Sequence, residues 1–258
     1  KLEIEHFTYI PDRYKEGYGL SEEGMREAKE SGCSLVIALD CGIKGHKVVE
    51  YANSIGLDVV ICDHHQPGDS IPPAFAVLDP KRQDCSYPYK ELSGCGVGFK
   101  LMEAWSLKMD TQEEFLTSQY DLLAVSIAAD IVPITGENRT LMARGLRILN
   151  TNPRTGLRAL MELSSKNGQF STEEVVFQLA PRINAAGRIE HGKLAVDLLT
   201  TNNWEHALEL SGHINELNKD RRSFDETIAT EALSMLEGTE ERFTSVVFNE
   251  NWHKGVIG

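Results

Sequence analysis

The sequence predicts an α/β fold: a parallel-sheet domain with a large helical portion, then a long linking helix and the start of a second domain. Three observations carry this. Two short apolar runs, residues 35–39 and 58–62, flank a stretch of helical spacing. Each run is continuous rather than alternating, the pattern of strands covered on both faces. From Ser93 onward the apolar period becomes that of helices.

The elements follow in order. Residues 4–10 are predicted as a strand. Leu35-Val36-Ile37-Ala38-Leu39 is a strand ending at Asp40. Residues 44–55 read as a helix, with Val48, Val49, Ala52 and Ile55 at helical spacing. Asp58-Val59-Val60-Ile61-Cys62 is a second strand, ending at Asp63. Strand, helix, strand within about 30 residues is a βαβ unit of a parallel sheet. Residues 75–79 form a further strand, with Pro72-Pro73 and Asp79-Pro80 punctuating its loops. Helices are predicted over 96–108, 112–131, 139–150, 154–165 and 171–179; the last opens on Ser171 with Glu173 and Glu174 in its first turn. Apolar residues at 207, 210, 214, 217, 224, 228 and 232 predict one helix over 203–237, about 50 Å long. Gly212 is its weak point. Residues 245–248 are predicted as a strand. The domains expected are 1–202, a linking helix 203–238, and 239–258.

Composition bounds the function. With 258 residues, 41% hydrophobic and 25% charged, the chain can bury a full core. No run of 18 apolar residues exists, so a membrane span is not expected. Lys1-Leu2-Glu3-Ile4-Glu5 does not resemble a signal peptide. Five cysteines without a CxxC pair suggest reduced thiols in a cytoplasmic protein. A net charge of −13 argues against passive nucleic-acid binding. It leaves room for a metal-dependent nuclease, whose carboxylates count as negative until the ions arrive. The missing initiator Met and the apolar end Gly255-Val256-Ile257-Gly258 suggest a piece of a longer protein.

In parallel α/β sheets ligands bind beyond the carboxyl ends of the strands. One predicted strand ends in Asp40-Cys41-Gly42, the next in Asp63-His64-His65. Carboxylate oxygen with imidazole nitrogen suits Mn²⁺ and tolerates Mg²⁺ or Co²⁺. Asp130 ends the apolar stretch 122–129, where a charge is costly to bury alone. Each has a plainer reading: Asp40 as a turn former, the histidines as surface residues, Asp130 as a helix stop completed by Pro133. The opening Ser93-Gly94-Cys95-Gly96-Val97-Gly98 could offer N–H groups to a phosphate or serve close packing. Asn184-Ala185-Ala186-Gly187 reads as close backbone approach or a tight turn, with Pro181 favouring a break at Ala180.

Asp63-His64-His65 after an apolar strand, with Leu39-Asp40-Cys41-Gly42 upstream and Ala129-Asp130-Ile131-Val132-Pro133 downstream, resembles the DHH phosphoesterase superfamily. Within it, Ile10-Pro11-Asp12-Arg13 with Glu16-Gly17-Tyr18-Gly19-Leu20, the segment from Pro181 to Arg188, and Trp252 to Gly258 resemble the single-stranded-DNA-specific exonucleases. The segments keep the family's order over nearly the whole chain.

The resemblance implies roles. Asp40 would bridge two metal ions, and His64 and Asp130 would ligate one of them. His65 would touch the scissile phosphate or complete the metal shell. Asp63 would orient the histidine pair, making Asp63 and His65 the catalytic pair beside the metal ligands. Arg13 and Arg182 would contact substrate phosphate, with Asn184 and Arg188 beside them. The family's first Asp-x-Asp motif is expected upstream of Lys1, and 239–258 would be the opening of a DHH-associated domain. For the intact protein this implies Mn²⁺- or Mg²⁺-dependent 5′ to 3′ hydrolysis of single-stranded DNA to 5′-mononucleotides, in repair and recombination with DNA repair proteins as partners and no membrane. Two ions about 3.5–4 Å apart would stabilise the attacking and leaving oxygens. The fragment alone is expected to be weak or inactive. The alternatives are a small-substrate DHH phosphoesterase (pyrophosphate, oligonucleotide or bisphosphonucleotide) and a non-catalytic DHH scaffold.

Overall fold

The computed structural model describes residues 4–12, 14–110, 113–164, 168–237 and 244–257. The chain divides into two compact units, 1–153 with 168–176, and 154–167 with 177–258.

The first unit is built on three parallel strands, β1 (Leu35–Leu39), β2 (Asp58–Cys62) and β3 (Ala76–Leu78), in the order β1-β2-β3. Leu39 lies opposite Cys62, and Cys62 opposite Leu78. Helices α1 (Glu22–Glu30) and α2 (His46–Ser54) are connected to this sheet through one core. In it Met25 and Ala28 meet Val49, Ala52, Val59 and Ile61. Full burial of each Val or Ile contributes about 1.5–3 kcal/mol. Helix α1 starts on Ser21, whose side chain accepts from Gly24 N–H, with Glu22 and Glu23 favourable at its positive end.

On the other side α3 (Gly94–Met109) touches β1 and β2 and packs on α5 (Tyr120–Ala129), which pairs with α6 (Gly136–Thr151). The short α4 (Glu113–Thr117) precedes α5, so the helix predicted over 112–131 is broken near Ser118 and Gln119. The expectation that both strands are covered on both faces holds poorly for β1. Leu35, Ile37 and Leu39, which share one face, are 47%, 49% and 58% exposed, so that face of β1 is only partly covered among the described residues.

The second unit contains α7 (Thr155–Glu162), α9 (Ala180–Ile189), α10 (Lys193–Thr200) and the long α11 (Trp204–Leu236). Asn203 caps α11 by accepting from His206 N–H. Between the one-turn α8 (Thr172–Glu174) and α9 runs a π-helical turn, Val175–Leu179. No break occurs at Ala180: the helical run passes from the π turn straight into α9 with Pro181 as its second residue, the wider turn lying where the proline lacks its N–H. Asn184 to Gly187 are therefore helical, and Ala185 and Ala186 are small because they are fully buried. Residues 4–10 and 245–248, expected as strands, form no ladder; no described strand neighbours them. Instead the Trp252 indole N–H donates to Glu231 Oε2 (2.7 Å), and the His253 ring stacks on Phe224. No described helix is long and apolar enough to cross a membrane.

Candidate metal centre

The parallel register places the strand-end acids. The ladder continues one residue past each strand: Asp40 N–H donates to Cys62 O (2.8 Å) and Asp63 N–H to Leu78 O (2.9 Å). Asp40 then turns the chain with a φ of +63°, a left-handed conformation that Asp tolerates better than most residues. Strain of this kind, of order 1–3 kcal/mol, concentrates at functional sites. Asp79 ends β3 in the same row, buried, with its carboxyl pushed up chiefly by that burial.

Asp63 is 1% exposed and collects donors. Its Oδ2 accepts from Ile43 N–H (2.9 Å). Its Oδ1 accepts from His64 N–H (2.8 Å), His65 N–H (3.3 Å) and the His65 ring Nδ1 (2.7 Å). Burial pushes its carboxyl up, but these hydrogen bonds together outweigh burial and hold it below the usual carboxylate range. The loop after β1 and the turn after β2 are thereby tied through one anion.

His64 is 5% exposed. Its Nδ1 lies 2.9 Å from Leu92 O, and a carbonyl only accepts, so Nδ1 carries the hydrogen. The other nitrogen, Nε2, stands 3.2 Å from Asp40 Oδ1 and 3.2 Å from Asp130 Oδ2. Neither contact is aligned as a hydrogen bond, which leaves Nε2 a buried nitrogen without a partner. In neutral His64 this atom directs a lone pair at two carboxylates. A proton or a cation must occupy that space. Asp40 first, and then Asp130, draw the imidazole pKa upward against burial. The ligand atoms of Asp40, His64 and His65 all lie within 4.8 Å of one another. His65 is half-exposed, with Nδ1 held by Asp63 and Nε2 left over. Two imidazoles and carboxylates fit a divalent transition ion.

Asp130 follows the last residue of α5 and accepts Gly94 N–H (3.2 Å). The first N–H of α3 is thus given to a carboxylate. A cavity of about 430 Å³ opens beside the cluster, lined by Tyr18, Leu20, Asp40, Lys44, Asp63 and His65. Sequence reasoning missed Ile43 and Leu92, which act through their backbone, and read Gly94 only as part of a glycine-rich helix start.

Arg182, Asn184 and Arg188 belong to α9 of the second unit. Arg182 donates to Asn215 Oδ1 (3.0 Å) and Gln178 O (2.5 Å), and burial, then Arg222, lower its pKa. Arg188 donates to Gly255 O (3.4 Å), and Asn184 is exposed. Arg13 lies outside the described residues.

Residues 2–127 match the model of the DHH family, N-terminal domain. Over 260 residues the chain is 42% identical to the single-stranded-DNA-specific exonuclease RecJ of Bacillus subtilis (strain 168), covering 100% of this chain and 32% of that protein. The chain thus resembles the DHH family over this N-terminal segment and RecJ along its whole length. The crystal structure of exonuclease RecJ bound to manganese matches with a TM-score of 0.85 at 33% identity, over 96% of this chain and 62% of that one. RecJ from Thermus thermophilus in complex with Mn²⁺ matches with a TM-score of 0.82 at 32% identity, over 92% and 35%. The mixed α/β fold is common to this chain and the RecJ structures. The chain spans about a third to a half of the curated RecJ proteins it matches, 32% of the Bacillus protein and 48% of RecJ from Salmonella typhimurium.

Proposed function

We propose that this chain is the metal-binding part of a cytoplasmic exonuclease that hydrolyses single-stranded DNA from the 5′ end to 5′-mononucleotides, using Mn²⁺ or Mg²⁺. The observation that carries the reading is the buried, unpartnered His64 Nε2 between Asp40 and Asp130. Likeness to RecJ over the full chain supports the substrate class.

Asp40, His64 and Asp130 would hold the ion, with His65 completing its shell or reaching the scissile phosphate. The ion, when bound, supplies Lewis-acid activation and charge neutralisation at a phosphodiester. The chain's own residues do the rest. Leu92 O fixes the His64 tautomer with the Nε2 lone pair facing Asp40 and Asp130. Asp63 fixes the His65 ring and the loop carrying Ile43. Arg13, Arg182 and Arg188, with Asn184, would meet substrate phosphates, for which the planar guanidinium fork of the arginines is suited.

Calorimetric titration with Mn²⁺ tests the centre. The unmodified chain is expected to bind, and His64→Ala to weaken binding at least about tenfold. No binding by the unmodified chain refutes the reading. Comparing a long single strand with a dinucleotide in the intact protein tests the substrate. Faster hydrolysis of the dinucleotide would assign it to the small-substrate phosphoesterases.

A further inference from the structure

The segment Leu92-Ser93-Gly94 reaches three of the four candidate ligands. Leu92 O holds His64 Nδ1 (2.9 Å), and Gly94 N–H is donated to Asp130 Oδ2 (3.2 Å). The third contact is steric. A Cβ placed on Gly94 would stand 2.1 Å from Asp40 Oδ1, 2.3 Å from its Cγ and 2.6 Å from its Cβ. Rotating the Asp40 side chain would move Oδ1 and Cγ away. It would not move Cβ, which is fixed by the left-handed backbone and by the bond from Asp40 N–H to Cys62 O. Gly94 itself has no positive φ, so an L-residue suits its backbone; only the space is lacking.

The start of α3 is also anchored from behind. Ser93 Oγ accepts Gly96 N–H (3.2 Å), and Ser126 Oγ, on the helix that ends at Asp130, donates to Ser93 Oγ (3.0 Å). Neither Ser93 nor Gly94 can retreat without disturbing α5.

We infer that Gly94 is a positioning residue of the metal centre: its missing side chain is the space that Asp40 occupies, and its N–H orients Asp130. This deepens the metal-centre reading and rests on it. A glycine-rich helix start that resembles a phosphate cradle is, at its first residue, a seat for two carboxylates.

The test is a set of variants measured by Mn²⁺ titration, by the electron paramagnetic resonance of bound Mn²⁺, and by thermal melting of the metal-free chain. Gly94→Ala is expected to weaken Mn²⁺ binding by about tenfold or more. Gly98→Ala, on the same helix, meets only the flexible end of Leu39 (3.2 Å) and leaves affinity and resonance unchanged. Asp40→Gly empties the contested space and suits the positive φ. In that background Gly94→Ala no longer lowers the melting temperature, and the gain in helix propensity raises it. Should Gly94→Ala fail to fold alone, its rescue by Asp40→Gly supports the same assignment. Unaltered Mn²⁺ affinity in Gly94→Ala, with His64→Ala impaired, overturns this inference and leaves the metal centre standing. Equal destabilisation by Gly94→Ala in both backgrounds also overturns it. An unmodified chain that binds no Mn²⁺ overturns both.

Discussion

Replacing Asp63 by Asn keeps the shape of the side chain and removes its charge. Oδ1 serves three donors from His64 and His65, and Oδ2 serves Ile43 N–H alone. The amide therefore keeps its oxygen toward the histidines and turns its NH₂ toward Ile43. That exchanges one charge-assisted bond, about 1.5–3 kcal/mol, for two donors facing each other in a site closed to water, where an unsatisfied N–H costs about 1–3 kcal/mol. The two effects overlap, so the expected loss is about 2–4 kcal/mol, read as the shift in urea unfolding of the metal-free chain. Mn²⁺ affinity should fall about 10- to 100-fold, because the His65 ring loses its anion. The pH dependence follows from the sign of the shift. The folded carboxyl titrates below its unfolded value of about 3.9. Its stabilisation is present above that pH and fades as pH falls toward and through the folded pKa, so the gap between the unmodified chain and Asp63→Asn narrows as pH drops below about 3.9. A variant within about 0.5 kcal/mol of the unmodified chain, with unaltered Mn²⁺ affinity, would refute the account.

Two further outcomes test the fold and its electrostatics. Gly156→Ala puts a methyl 1.9 Å from Leu198 O, backbone that cannot swing aside, so the second unit should lose about 1–3 kcal/mol or more, seen as a lower melting temperature; a rise, as helix propensity alone would give, contradicts that packing. Cys62 is fully buried, and burial and then the Asp63 charge push its thiol up to about 11. At pH 8 about one molecule in a thousand carries the thiolate, so iodoacetamide should label exposed Cys95 and leave Cys62 unmodified by peptide mass; labelling of both at similar rates contradicts it.

The sheet that organises the site was legible because β1 and β2 are continuous apolar runs stopped abruptly by Asp40 and Asp63, and parallel pairing aligns such stops. Asp130 was legible as a charge closing an apolar helix. Other features needed partners distant in the chain. Residues 4–10 and 245–248 have strand-like composition, yet a strand exists only where a neighbour completes its ladder. Helix α1 carried a readable signal that went unused: Ser21 as cap, Glu22 and Glu23 behind it, and Met25 and Ala28 on the buried face. Helix α10 has weaker punctuation, with no side-chain cap. The role of Gly94 was hidden because a glycine names no interaction; Asp40 supplies its meaning only after folding.

The strand-end ladder has a consequence for insertions and deletions. Asp40 and Asp63 are themselves hydrogen-bonded rungs, so no slack separates the sheet from the acids. One residue added or removed within 35–40 or 58–63 would turn every following side chain to the opposite face. The mostly exposed stretch 66–71 carries no such constraint, and lengthening it costs only the slow entropy of a longer loop. Variation in chain length should therefore gather between the second histidine and the prolines that precede β3, where a reporter peptide can be inserted without shifting the metal-binding groups.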